Sequence, residues 1–127
     1  MAFHETDAMG IVHHANYLRF FEEARVLWLE EHDQPYAAYL AMDLHFAVTG
    51  VEVEYLRSAR FDDRLRVTTW VEAIRGASLR MAYRITRGDE LLVTGATEHA
   101  AVDGQGRVRR IPNERRLHMK RQLGLQD

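Results

Sequence analysis

The sequence predicts an α+β fold, a curved antiparallel sheet wrapped around one long central helix. Three observations predict it. A segment from about Ala15 to Glu31 carries its charge on one narrow stripe. After it, the apolar residues change from helical period to strict alternation over several stretches. Tight turns join those stretches, and short connections imply antiparallel pairing.

The helix comes first. Arg19, Glu22, Glu23 and Glu30 share the charged stripe, while Leu18, Phe20, Phe21, Ala24, Leu27, Trp28 and Leu29 cover most of the rest. An apolar arc that wide predicts a helix enclosed on several sides. Arg25 falls outside the stripe and needs a partner or an edge position. Pro35 disfavours helix at Gln34 and closes the segment. Val51, Val53 and Tyr55 then alternate with Glu52 and Glu54, and Leu65, Val67, Thr69 and Val71 repeat the pattern. A third strand covers Ala77 to Thr86, Arg87-Gly88-Asp89 reads as a hairpin turn, and a fourth runs from about Leu91 to Val102. Asp103-Gly104-Gln105-Gly106 is another turn. Arg107 to Ile111 reads as a short last strand, and Pro112 opens a final helix through about Leu123. One sheet wrapped on one helix leaves an open edge, which pairing into a dimer would cover.

The chain has 127 residues, enough for one domain spanning 1–127, and 46% of them are apolar, so a core needs no staples. The absence of cysteine excludes disulfides, thiolate metal sites and a cysteine nucleophile. A net charge of −2 argues against a general nucleic-acid binder. Seven of the 17 basic residues follow Gln105, and this basic end reads as a solvated tail more readily than as a phosphate site. No apolar run approaches the length of a membrane span, and the N-terminus lacks the pattern of a signal peptide. A soluble, cytoplasmic protein is expected.

The chemistry concentrates in TDAMGIVHHANYLRFFEEAR, Thr6 to Arg25. The first backbone N–H groups of a helix have no intrahelical partner and, with the helix dipole, favour negative charge. Those near His14 to Asn16 could face an oxyanion developing on a carbonyl. Asp7 could act as nucleophile or general base, and His14 could orient it or shuttle a proton. That is a workable acyl-transfer site without serine or cysteine. The same residues also suit a helix cap and polar surface. His4, Asp7, His13 and His14 are metal-ligand types, but their spacing matches no metal signature.

The segment resembles the signature of hotdog-fold acyl-CoA thioesterases of the 4-hydroxybenzoyl-CoA thioesterase type, with their short-chain bacterial relatives of the Tol-Pal envelope system. The matching positions are Asp7, Gly10, Ile11, Val12, His13, His14, Ala15, Asn16 and Tyr17. VEVEYLRSARFDDRLRVTTWV and LLVTGATEHAAVDGQGRVRRIP are similar to later strands of the same family. The resemblance implies a hotdog fold and hydrolysis of acyl-CoA thioesters, with no cofactor. It implies that Asp7 is the essential carboxylate, that the His14 N–H is the oxyanion donor with the His14 side chain assisting, and that Asn16 and Tyr17 support the site. His13 stands where an aromatic residue is common and would shape the acyl pocket. Arg57, Arg60 or Arg110 would contact CoA phosphates. The sites would lie between subunits of a homodimer, and dimers would pair into homotetramers. Only Met1 to Thr6 precede Asp7, where the family has a full strand, so that strand is clipped or the recorded start is late.

Two other readings stand beside this one. A hydratase or dehydratase would use His45 with Glu22 or Glu23. A non-catalytic acyl-binding domain has no reason to keep Asp7 beside an apolar pocket, given its desolvation cost. Trp28, Tyr36, Tyr39 and Met42 are expected to be core more than pocket.

Overall fold

The helical and alternating periods of the sequence become helices and strands close to their expected bounds. The computed structural model describes residues 14–57, 59–60 and 63–123, with side chains from Tyr17 onward. It contains α1 (His14–His32), α2 (Tyr36–Ala41), β1 (His45–Tyr55), β2 (Arg66–Ile74), β3 (Ser78–Arg87), β4 (Glu90–Val102) and α3 (Asn113–Lys120). All strand pairs are antiparallel, and the sheet order is β1-β4-β3-β2. The last strand in sequence, β4, therefore lies inside the sheet, and β1 and β2 are its edges among the described residues. The strand expected ahead of Asp7 lies outside the described residues.

α1 packs on one face of this sheet. Tyr17, Phe21 and Trp28 project from one side of the helix and are buried, as are Leu79, Met81, Tyr83 and Ile85 from β3. Phe21 stacks on Tyr83 with ring centroids 4.3 Å apart. This close approach needs Gly95 on β4, where an added Cβ would sit 2.5 Å from Phe21 Cε2 and 3.0 Å from the Glu52 carbonyl oxygen.

The C-terminal end of α1 is locked by α3. The Asp33 side chain, fully removed from solvent, accepts hydrogen bonds from the Tyr39 hydroxyl and from Arg115 Nη1. Gln122 Nε2 donates to the His32 carbonyl at 2.6 Å, one of the carbonyls that helix geometry leaves free. The basic end is thus more than a solvated tail. Arg115 holds α1, and Arg109 donates to the carbonyls of Met42 and Asp43.

Three expectations need correction. β1 starts at His45, well before Val51, and passes a register shift between Val48 and Gly50. Arg107 to Ile111 is no strand: one isolated bridge joins Val108 to Val102. Arg109 is tied to the loop before β1, and the Ile111 N–H reaches the Gly76 carbonyl, so the segment crosses the end of the sheet. Finally, α1 is not enclosed on several sides by the described residues. Leu18 is 42% exposed and Leu27 59%. Val48, Val51 and Tyr55 on the edge strand are exposed as well.

The Gly95 contact is testable. Gly95→Ala is expected to lower stability by about 1–3 kcal/mol through overpacking against Phe21. Equal urea midpoints for wild type and variant would refute the tight approach.

Candidate active site

Of the expected site residues, Asp7 and His13 lie outside the described residues, as do the side chains of His14 and Asn16. The backbone places His14 at the first position of α1. Its N–H and those that follow in the first turn therefore have no acceptor within the helix.

Tyr17 fixes what stands beside that turn. It is buried, its ring lies 5.5 Å from that of Tyr55, and its hydroxyl accepts a hydrogen bond from the Ala59 N–H at 3.3 Å. Burial raises its pKa above the ordinary value, so the hydroxyl stays protonated. The contact draws the loop after β1 against the helix start, and that loop carries Arg57 and Arg60. Arg57 is 65% exposed and pairs with Glu90 at 2.9 Å. The Arg60 N–H donates to Asp63 Oδ2 at 2.6 Å, and Arg87 holds the same carboxylate at 2.8 Å. Both arginines thus stand at the end of the sheet where α1 begins. Arg110 does not. It lies beside Gly76, in the turn between β2 and β3 at the opposite end.

A cavity of about 370 Å³ opens on the flank of α1 that faces β1. Val26 and Leu29 from α1, Tyr39 from α2, and Leu44 and Phe46 near the start of β1 give it apolar walls. Tyr39 and Trp28 are core residues, as expected, while Tyr36 is 58% exposed and borders the cavity. Glu22 and His45 border it too, but His45 Nε2 lies 3.1 Å from Asp43 Oδ1, and no His45–Glu22 hydrogen bond is formed. Glu23 lies 3.7 Å from Arg19 on the exposed side of the helix. The His–acid pair of a hydratase is therefore not assembled here.

Arg25 also lines the cavity, and the structure supplies the partner its position demanded. Its Nη1 lies 3.4 Å from Nδ1 and 3.5 Å from Nε2 of His99. A polar chain continues from there: His99 Nε2 to Thr97 Oγ1 at 2.7 Å, and Thr97 Oγ1 to the Tyr83 hydroxyl at 2.6 Å. All three are buried. Burial, and then the charge of Arg25, pull the His99 pKa down to about 4, so the ring is neutral near pH 7. Sequence reasoning missed this chain. The signal was the alternation of β4, which puts Thr97 and His99 in phase with the buried Val93 and Ala101.

An antiparallel sheet holding one long helix on its face defines a hotdog protein. A family model for the thioesterase-like superfamily matches residues 1–123, and the chain belongs to that superfamily. It is 37% identical over 94 residues to the acyl-CoA thioester hydrolase YbgC of Escherichia coli O157:H7, covering 74% of this chain and 70% of the relative. It is 34% identical over 102 residues to the acyl-CoA thioesterase YbgC of Haemophilus influenzae, covering 80% and 75%. Among solved structures, a hypothetical protein from Thermus thermophilus superposes with a TM-score of 0.90 at 32% identity, covering 96% of this chain and 94% of that one.

The lowered pKa of His99 predicts a pH-sensitive fold. The unfolded chain binds a proton at this residue below about 6.5, whereas the folded chain resists doing so until about 4. Stability is therefore expected to fall as pH drops from about 6.5 towards 4. In His99→Gln that part of the decline should vanish, which urea midpoints across the range will report. Parallel declines in the two proteins would refute the assignment.

Proposed function

We propose that this chain hydrolyses acyl-CoA thioesters to the free acid and CoA. The observation that carries the reading is the start of α1 at His14, seven residues after Asp7, with the Tyr17–Ala59 contact bringing the Arg57–Arg60 loop to the same end. Membership of the superfamily and the two hydrolase relatives support it. The thioester carbonyl oxygen sits against the N–H groups at the helix start, near His14. Preorganised donors there stabilise the oxyanion as it forms. Asp7 acts in one of two ways. As general base it takes a proton from water while the water oxygen bonds the carbonyl carbon; the C–S bond then breaks and the proton passes to the thiolate. As nucleophile its oxygen bonds the carbonyl carbon and the C–S bond breaks, releasing CoA as the thiolate; water then hydrolyses the anhydride to the free acid and the regenerated carboxylate, and the proton released passes to the thiolate. The His14 side chain assists in either route.

His13 and Asn16 border the acyl group, and Tyr17 positions the helix start. Arg57 and Arg60 stand where the CoA phosphates would leave the site. A second copy completes it by pairing along β1, where Val48, Val51 and Tyr55 are exposed, as is Leu18 of α1. Two such dimers form the tetramer. Among the described residues, no helix is long and apolar enough to cross a membrane, and we place the protein in the cytoplasm.

Asp7→Asn is expected to lower thiol release from acyl-CoA esters by about a hundredfold or more, with an unchanged circular dichroism spectrum. Near wild-type turnover would sink the mechanism. Val51→Lys on the sheet edge is expected to yield monomers in light scattering and to lose activity with them. An intact, active dimer would place the interface elsewhere.

A further inference from the structure

The guanidinium of Arg25 has no carboxylate within ion-pair distance among the described residues. An arginine remains charged at every accessible pH. Its partner His99 is neutral, as are Thr97 and Tyr83 behind it, so nothing in this chain of contacts balances the charge. Glu22, three residues earlier, is exposed to water and forms no ion pair with it, and His45 is occupied by Asp43. A positive group thus stands half-buried on the wall of a cavity whose other walls are mostly apolar, with Glu22 and His45 at its border.

The cavity is placed to receive one end of a substrate. Leu18, Glu22, Arg25 and Leu29 follow one another at helical spacing, so they share the flank of α1 that leads from the helix start to the cavity. At 1.5 Å per residue Arg25 stands about 16 Å along the axis from His14. Its side chain leans back towards the helix start, as helical side chains do. The interval suits a medium-length acyl chain better than the shortest ones.

We propose that this cavity is the acyl subsite, and that Arg25 selects thioesters whose acyl chain ends in a second carboxylate. The proposal rests on the thioester-hydrolysis reading above. A terminal carboxylate can take two parallel N–H donors from the guanidinium and neutralise it. A methyl terminus displaces the water around the guanidinium and returns nothing. His99, held neutral and linked to Thr97, keeps the guanidinium turned inward.

The test compares octanoyl-CoA with suberyl-CoA, its counterpart with a free terminal carboxylate. Wild type should show a kcat/KM about tenfold or more higher for suberyl-CoA, as expected for a charge-assisted hydrogen bond. Arg25→Met should remove the preference, chiefly through KM, and Arg25→Lys should keep part of it. Equal or better turnover of octanoyl-CoA by wild type overturns the proposal, whether or not the variants fold. If neither ester is hydrolysed, calorimetric titration with octanoate and suberate separates the two ideas. Suberate binding tighter by about tenfold and lost in Arg25→Met keeps the subsite and sinks the hydrolase reading. Equal binding of the two acids sinks the subsite.

Discussion

Phe21 lies flat on Tyr83 over the bare backbone of Gly95, and the placement of α1 follows from that contact. Aromatic stacking and the loss of apolar surface from water act together there, at the middle of the sheet. Residues four apart share a helix face. Fixing Phe21 therefore fixes Tyr17 one turn earlier and Arg25 one turn later. Tyr17 meets Ala59 and sets the helix start against its neighbouring loop. Arg25 meets His99 and reaches the cavity. The two ends of the candidate site are thus held apart at a distance set by one side chain.

The polar chain beneath the helix sets a second constraint. Buried hydroxyl and imidazole groups are costly unless each finds a partner, and here each does. A fully satisfied network of this kind specifies geometry more sharply than apolar packing, because its hydrogen bonds are directional. The clamp of Asp33 with Tyr39 and Arg115 does the same at the far end of α1. Between these two polar anchors the helix has little freedom to slide.

Much of this was legible in the sequence, because local periodicity reports local structure. The charged stripe of Arg19, Glu22 and Glu23 marked α1, and alternation marked β2, β3 and β4 within a few residues. The position of Arg25 outside the stripe called for a partner or an edge position, and named neither. His99 lies 74 residues away, and no short-range pattern joins the two. β1 was read short because the register shift between Val48 and Gly50 breaks the alternation ahead of Val51. The segment after Gly106 looked like a strand because it follows a glycine turn and sets Val108 and Ile111 among arginines. Its course is set by the loop before β1, which sequence spacing does not report. The motif around Asp7 was legible as a resemblance, and the structure describes only its final residues.

The order of elements has a consequence for how the chain is made. α1 is the first described element, yet its burial partners, Tyr83, Gly95 and His99, belong to β3 and β4, and its C-terminal lock belongs to α3. A chain emerging from the ribosome at about 5–20 residues per second completes its large apolar helix seconds before those partners exist. During that interval Phe21, Trp28 and Leu29 are in water. Contacts so distant in sequence must close long loops before they gain anything, which slows folding. The nascent helix is thus open to aggregation until those partners arrive. Its C-terminal lock closes last, since Arg115 and Gln122 engage Asp33 and the His32 carbonyl only once α3 is made.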